Sequence, residues 1–304
     1  TKLYIRAYCH LPLPSNCQFS MDVVVLPPCT FSDKTSGNYT VPSLGCTLTK
    51  MITVDGAMNV SGVEGESPLR ELAAVGGTAS GTTRHFKVPE QNKLFLSFLR
   101  LTGGKVTFTP CSSPYDTCGG GSIYLSGSGA LLDVKFTQFV GNSAGFGGAI
   151  FVRLSASVNV LGVTFESNTA ASNGGAVWCG ESSSFITTRS TFSSNSATYG
   201  GAVRAVDSGT KSVIAASTLV GNLASSGNGE DVGVYTNAEV FVLNSAISST
   251  NLYETEGGHF GGTCTLDVRA YCASTLGRSE CSASGTGTSA RITCGGVCAV
   301  NHFE

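Results

Sequence analysis

Charged residues are scarce in this chain of 304 residues: they make up 12% of it, and the formal net charge is -2. This composition excludes the basic surface that nucleic-acid binding requires and leaves little field to steer a charged ligand. Long apolar runs are also missing, because no apolar stretch reaches about 18 residues, so the sequence predicts no transmembrane segment. Glu and Lys, which are common in surface helices, are few, and this disfavours a helical protein.

Recognisable catalytic and metal-binding motifs are missing as well. The four histidines are scattered, and no cysteine pair has the spacing of zinc ligands. The sequence has no Ser-His-Asp set, no phosphate-binding loop and no HExxH motif. We therefore assign no catalytic residue, no metal site and no cofactor.

Cysteine and glycine are abundant instead. The even number of cysteines, 12, predicts disulfides and an oxidising compartment. Eleven of them lie outside the most regular stretch and are assigned to disulfides: Cys9, Cys17, Cys29, Cys46, Cys111, Cys118, Cys264, Cys272, Cys281, Cys294 and Cys298. Cys179 stands apart, and we expect either a disulfide to a tail cysteine or a buried free thiol.

Two sequons for N-glycosylation agree with a secretory route. They are Asn38-Tyr39-Thr40 and Asn59-Val60-Ser61. Together with the cysteines, they predict an extracellular or cell-surface glycoprotein.

An internal repeat of about 27 residues is the strongest signal in the chain. Each unit carries FxxN, followed by GGA and an aliphatic residue, and units begin at Phe139, Phe165 and Phe192, with a decayed copy at Leu219. The asparagines lie at positions 142, 168, 195 and 222, which gives spacings of 26, 27 and 27 residues. Short β-rich stretches between turn residues, at this period, predict the coils of a β-solenoid.

The repeated residues suit stacked coils. Copies of the phenylalanine can stack inside the tube, and copies of the asparagine can bond to one another at a turn, where Asn also tolerates left-handed backbone. The glycine pair allows positive φ at a corner that has no room for a Cβ atom. A leucine-rich repeat would need several leucines per unit, and these units have two at most. We predict an all-β, right-handed, single-stranded parallel β-helix.

The GGA[I/V] and FxxN motifs at this spacing resemble the repeats of the chlamydial polymorphic membrane proteins and of related right-handed β-helix surface proteins. The resemblance covers about residues 119 to 235. It implies a surface-exposed passenger that mediates adhesion, although such repeats are more specific for a fold than for a function. A eukaryotic surface or filament protein with the same repeat would also explain the cysteine-rich ends and the sequons.

Cysteine-rich segments flank the repeats. A solenoid has two open edges that promote aggregation unless they are covered. We expect residues 1–50 to form a disulfide-bonded N-terminal cap, residues 51–256 the β-helix with clean coils at about 119–235, and residues 257–304 a disulfide-bonded C-terminal cap or tail. Cys111 and Cys118 are expected to close a short loop.

Many β-helices act on acidic polysaccharides, which requires carboxylates and a basic residue in one cluster. At a period of about 27 residues Glu181 lies over Asp207 with Arg204 nearby, which would give a weak polar site, and a solvated turn is the simpler interpretation. Glu230 and Asp231 could hold a cation or form an exposed turn.

A second column follows the GGA motif. Alternation places Ile150 and Val152 inside and the residue between them outside. The equivalent outward residues form a ladder with spacings of 27, 27 and 26: Tyr124, Phe151, Trp178 and Arg204. We predict an exposed apolar strip that binds sugar rings or another protein. The alternatives are that a loop or tail covers the strip, or that reversed alternation places it in the core.

The sequence thus favours a non-enzymatic extracellular structural or adhesive protein. It would be a rigid rod in a surface assembly or filament, with other copies of itself, other surface proteins or glycans as partners. The alternative is a polysaccharide-binding protein or one similar to polysaccharide lyases and epimerases.

Overall fold

The computed structural model describes residues 3–9, 19–74, 83–106, 118–243, 245–247, 253–255, 259–263 and 292–295. These residues form strands and turns, and none of them lies in a helix. Among them, accordingly, there is no helix of the length and hydropathy needed to cross a bilayer. Four parallel sheets and one antiparallel pair of strands account for all the strands. The predicted all-β parallel β-helix is confirmed.

Each clean coil contributes one strand to each of the four parallel sheets. In the coil that begins at Ser157, the strands are Ser157–Leu161, Thr164–Glu166, Thr169–Asn173 and Val177–Cys179. We name the sheets I, II, III and IV in this order. Each strand pairs in parallel with the equivalent strand of the next coil, at a spacing of about 4.8 Å.

Sheets I and II form two sides of the tube. The ten strands of sheet I are Gly37–Thr40, Ala57–Ser61, Lys93–Ser97, Leu131–Lys135, Ser157–Leu161, Ser184–Thr188, Lys211–Ala215, Glu239–Leu243, His259–Thr263 and Ile292–Gly295. The eight strands of sheet II are Cys46–Leu48, Arg70–Ala74, Leu99–Thr102, Gln138–Val140, Thr164–Glu166, Thr191–Ser193, Thr218–Val220 and Ala246–Ile247.

Sheets III and IV complete each coil. The four strands of sheet III are Ser143–Phe146, Thr169–Asn173, Ser196–Tyr199 and Leu223–Asn228. The eight strands of sheet IV are Ile52–Thr53, Phe86–Val88, Ile123–Ser126, Ile150–Arg153, Val177–Cys179, Val203–Val206, Val232–Tyr235 and Tyr253–Thr255.

The repeated phenylalanines form a column inside the tube. The rings of Phe139 and Phe165 stack with centroids 5.1 Å apart, and those of Phe165 and Phe192 stack at 4.6 Å. All three are fully buried, and Leu219 follows Phe192 in register. Parallel strands in register bring identical residues together, so each apolar ring is removed from water by its own copies.

The glycine pair forms the corner between sheets III and IV. The first glycine has a left-handed backbone, with φ of 56° at Gly147 and 66° at Gly174. The second has no space for a side chain, because a Cβ atom on Gly148 would overlap the carbonyl oxygen of Gly175 and the backbone of Thr169. Both glycines are therefore required, each for its own reason.

A disulfide joins Cys29 to Cys46 near the start of the solenoid. Within the segment predicted as an N-terminal cap, the strands Gly37–Thr40 and Cys46–Leu48 already pair in parallel with the next coil. Ahead of them, Leu3–Cys9 and Phe19–Val25 form an antiparallel pair.

Cys118 is also disulfide-bonded, and its predicted partner Cys111 lies outside the described residues. Of the predicted C-terminal cap, two strands that extend sheet I are described, His259–Thr263 and Ile292–Gly295. The other predicted disulfide positions concern side chains outside the described part of the chain: Cys9, Cys17, Cys264, Cys272, Cys281, Cys294 and Cys298.

Candidate functional site

The asparagines of the repeat form a buried ladder at the corner between sheets II and III. The backbone N–H and the side-chain Nδ2 of Asn142 both donate to Oδ1 of Asn168, at 3.0 and 3.1 Å. Asn168 repeats both bonds to Asn195, and Asn195 repeats both to Asn222. The ladder therefore locks successive coils together with side-chain hydrogen bonds inside a low-dielectric core.

The left-handed residue of this corner is the one before each asparagine. Its φ is 63° at Gly141, 55° at Ser167, 56° at Ser194 and 63° at Gly221. The repeat therefore does not use the tolerance of Asn for left-handed backbone, because the asparagines themselves do not have positive φ. The side-chain amide serves as a hydrogen-bonding group, and the preceding Gly or Ser makes the turn.

An aspartate ends the ladder. Nδ2 of Asn222 donates to Oδ1 of Asp231 at 2.7 Å, and Asp231 is fully buried. Asp231 occupies the place of the alanine in the earlier GGA motifs, because Ala202 donates its N–H to the carbonyl of Asp231. The predicted exposed turn at Glu230 and Asp231 is thus wrong for Asp231, whose carboxylate accepts a bond from the last rung.

A second hydrogen-bonded file escaped sequence analysis. The hydroxyl oxygens of Ser190, Ser217 and Ser245 accept the N–H groups of Val163, Ser190 and Ser217, at 3.2, 3.1 and 3.0 Å. A signal was present, because these serines recur at 27 and 28 residues, two positions before the phenylalanine column. Serine is common in turns of every kind, so its recurrence is a weaker signal than that of Phe or Asn.

The predicted ladder lies in one row of sheet IV, where Tyr124 pairs with Phe151, Phe151 with Trp178, and Trp178 with Arg204. Val152, the next residue along one strand, packs in the main core, so the ladder lies outside the tube. Its side chains are nevertheless buried, with exposures of 1%, 0%, 7% and 5%. The prediction of an exposed strip is therefore wrong, and an interface role for these residues stays untested.

Sheet III supplies part of the cover over the ladder. Phe146 from that sheet meets the rings of Phe151 and Trp178 edge-on, at centroid distances of 6.4 and 6.3 Å. The ladder rings stack on one another, with Tyr124 5.4 Å from Phe151 and Phe151 4.3 Å from Trp178. The backbone at Gly180 also lies against Trp178, since a Cβ atom there would overlap the indole. These residues form a second, smaller apolar core.

Cations flank this second core. The guanidinium carbon of Arg84 lies 5.1 Å from the ring centroid of Tyr124. At the other end, that of Arg204 lies between Tyr199 at 5.6 Å and Tyr235 at 5.2 Å. Such cation–π contacts gain strength when the pair is removed from water. They account for the burial of the ladder's terminal arginine.

The predicted polar site has a different partner from the one expected. Oε2 of Glu181 lies 2.9 Å from Nη2 of Arg153. Burial lowers the pKa of Arg153, but the hydrogen bond and charge of Glu181 outweigh it, so that this pKa lies above its usual value. Asp207 lies in a turn with φ of 72°. Among the described residues no cluster of His, Cys, Asp and Glu could hold a metal ion, and a joint site of Glu181, Arg204 and Asp207 stays a prediction.

Cys179 is a buried free thiol, which decides between the two alternatives left by the sequence. Burial raises the pKa of the Cys179 thiol to about 12, partly opposed by a hydrogen bond with Ser212. A protonated thiol in the core behaves as a small apolar group and is a poor nucleophile.

An exposed apolar surface lies instead on the outside of sheet I. Phe95, Ile186, Val213 and Phe241 project outward from one column, in which they are joined by Asp133 and Asn159. Ile186 is 41% exposed and Phe241 is 37% exposed. Leu161 and Leu243 lie half-buried in the next outward column. We call this surface the outer apolar face.

A sequence signal for the outer apolar face exists. The strands Ser184–Thr188, Lys211–Ala215 and Glu239–Leu243 each carry adjacent apolar residues, such as Val240, Phe241 and Val242. Strict alternation would leave one side polar, so adjacent apolar residues indicate a strand that is apolar on both faces.

The two sequons lie on the first two strands of sheet I, at one end of the sheet. Asn38 pairs in register with Asn59, on the two strands that precede Lys93–Ser97. Asn38 is exposed, and Asn59 is half-buried. Both side chains point outward, as glycosylation would require, and modification of Asn38 and Asn59 stays a prediction.

These features define a parallel β-helix whose coils are joined by an internal asparagine ladder. Residues 162–180 match the Chlamydia polymorphic membrane protein (Chlamydia_PMP) repeat, which confirms the resemblance of the repeat. Neither the curated proteins nor the solved structures include a match to this chain. The repeat and the fold fit a surface structural protein.

Proposed function

We propose that the protein is a non-enzymatic structural or adhesive protein of the extracellular surface, a rigid β-helix that enters an assembly through the outer apolar face. The observation that carries this proposal is a run of outward apolar side chains on adjacent strands of one sheet, in which Ile186 and Phe241 are exposed and Val213 between them is half-buried. Contiguous apolar patches on a rigid surface are typical of contact sites.

Two further features support the compartment. The bond between Cys29 and Cys46 and the disulfide-bonded Cys118 both favour an oxidising environment. The polysaccharide alternative depended on a cluster of carboxylates with a basic residue at Glu181, Arg204 and Asp207, and Glu181 pairs instead with Arg153. The assembly role is therefore the better supported of the two.

The test uses intact cells that express either the wild-type chain or the double variant Ile186→Ser/Phe241→Ser. We expect surface labelling of wild-type protein and its recovery in cross-linked complexes, which the double variant loses while remaining folded. The matched control is Val220→Ser, because Val220 is 44% exposed but lies on the outside of sheet II. Protein protected from labelling in intact cells, or complexes that survive in the double variant, would refute the proposal.

A further inference from the structure

We infer that the partner of the outer apolar face is a second copy of this chain, placed face to face around a two-fold axis parallel to the strands of sheet I. The inference rests on the proposed function, because it names the occupant of the same surface. Aligned packing of two sheets is a common way to bury two such faces, and two-fold symmetry is the commonest arrangement of identical chains.

The position of the axis follows from the strand order. A two-fold axis along the strands keeps the position of a residue within its strand and reverses the order of the strands. The midpoint of the ten strands lies between Ser157–Leu161 and Ser184–Thr188. An axis there places Lys93–Ser97 of one copy against Glu239–Leu243 of the other, and Leu131–Lys135 against Lys211–Ala215.

The charges on this face are complementary under that symmetry. Lys93 of one copy faces Glu239 of the second copy, and Phe95 faces Phe241. Asp133 lies one outward position from Lys211 of the second copy. Within one chain, Nζ of Lys211 already lies 3.2 Å from Glu239, so the second copy's Lys93 would add a further cation beside that carboxylate. Because the axis is two-fold, each of these contacts between the copies occurs twice.

The other face-to-face arrangement is less favourable. A two-fold axis along the solenoid would keep the strand order, so each residue of the central column would face its own copy. Asp133, which lies 3.7 Å from Nζ of Lys135 in its own chain, would then oppose the second copy's Asp133, and no opposite charges would face each other across the contact. Charge therefore selects the axis parallel to the strands.

The size of the face suits a reversible dimer. The outer apolar face covers six strands, from Lys93–Ser97 to Glu239–Leu243, so at about 4.8 Å between strands and about 13 Å for five residues it presents about 300 Å² of projected area per copy. A stable interface of standard size buries about 800 Å² per partner. We expect an association that depends on concentration within the range accessible to ultracentrifugation.

The first experiment is sedimentation equilibrium on purified, deglycosylated protein, since Asn38 and Asn59 open onto the end of this face. We expect a monomer–dimer equilibrium, weakened at least tenfold by Ile186→Ser/Phe241→Ser and unchanged by Val220→Ser. A chain that remains monomeric at all concentrations, or a dimer indifferent to the double variant, would overturn the inference. If such a chain still forms surface complexes in cells, the proposed function survives with a different partner.

The second experiment tests the symmetry by exchanging charges. Lys93→Glu should weaken the dimer about tenfold by placing like charges together twice, and adding Glu239→Lys should restore part of the affinity, since it re-forms the pair between copies but removes the partner of Lys211 within the chain. Lys50→Glu is the control, because Lys50 is similarly exposed and pairs with Asp33 away from sheet I. Thermal unfolding checks that each variant is folded. A double exchange as weak as Lys93→Glu alone would contradict the assigned axis.

Discussion

Two glycines within one repeat have different roles. At Gly141 φ is 63° and no heavy atom lies within 4 Å of the position of a Cβ atom. Ser167 occupies the equivalent position of the next coil with φ of 55°. At Gly148, in contrast, a Cβ atom would overlap the backbone of Gly175 and Thr169. Conformational freedom alone is needed at the first position, and space at the second.

We therefore predict that Gly141→Ser lowers the free energy of unfolding by only about 1 kcal/mol, at the lower end of the cost of a left-handed residue other than glycine. Gly148→Ser should lower it by about 3 kcal/mol or more, since backbone of the next coil must move. Urea denaturation followed by circular dichroism measures both variants. Equal losses would show that the close approach at Gly148 is not a constraint.

Cys179 gives a second prediction at the residue scale. Because burial raises the pKa of this thiol to about 12, we expect no alkylation of Cys179 in the folded protein at mildly alkaline pH and complete alkylation after denaturation. Mass spectrometry of the peptide that contains Cys179 distinguishes the two states. Modification of the native protein at the rate of a free thiol would mean that the core is accessible there.

Among structural elements, the asparagine ladder depends on how it ends. Each earlier rung donates to the asparagine of the next coil, and Asn222, the last rung, donates instead to Asp231 of its own coil. Asp231→Ala should lower the free energy of unfolding by about 2 kcal/mol, because it leaves a buried amide without that acceptor. Asp231→Asn keeps an oxygen at this place and should cost less. Urea denaturation measures both variants. An equal loss of free energy of unfolding in the two would show that the carboxylate oxygen is not needed as an acceptor.

The second core allows a test that separates stability from assembly. Trp178 stacks on Phe151 at 4.3 Å and is 7% exposed. Trp178→Ala should lower the free energy of unfolding by about 3 kcal/mol or more, as for other buried aromatic residues. Self-association should be unchanged wherever the variant is folded, which sedimentation measures. Weaker association of a fully folded variant would instead show that Trp178 belongs to the interface.

Sequence reasoning predicted the columns but not what covers them. A constant period places Phe151 over Trp178, and alternation assigns them to the outside of the tube, because both follow from geometry within one sheet. Burial of the same rings depends on a neighbouring sheet, whose Phe146 lies beside them. No periodicity within sheet IV contains that information.

The residue that ends the asparagine ladder was equally hard to predict. Asp231 interrupts the GGA pattern, and an isolated acidic residue at a turn usually points to solvent. Its role becomes visible only in the folded coil, where sheet III separates the two residues along the chain and the turn brings Asn222 within 2.7 Å of Asp231. The outer apolar face has a weak signal for another reason: adjacent apolar residues in a short strand, such as Val213 and Ile214, do not indicate which side of the sheet is left uncovered.

At the scale of the whole molecule, side chains inside the tube and side chains on its outside have separate roles. Side chains inside the coils, from the stacked phenylalanines to the asparagine ladder, hold the β-helix rigid. Side chains on the outside of sheet I, such as Ile186 and Phe241, remain available for contact. A rigid sheet loses little conformational entropy on association, so a modest apolar face suffices for assembly.

The central claim is that copies of the repeat stack over one another, with Asn142, Asn168, Asn195 and Asn222 in one file. NMR of protein with isotope-labelled asparagine tests it directly. We predict slow hydrogen exchange of these four side-chain amides and NOEs between successive rungs, whereas the exposed Asn159 exchanges fast. Exchange of the four amides as fast as that of Asn159, without contacts between them, would contradict the stacked fold.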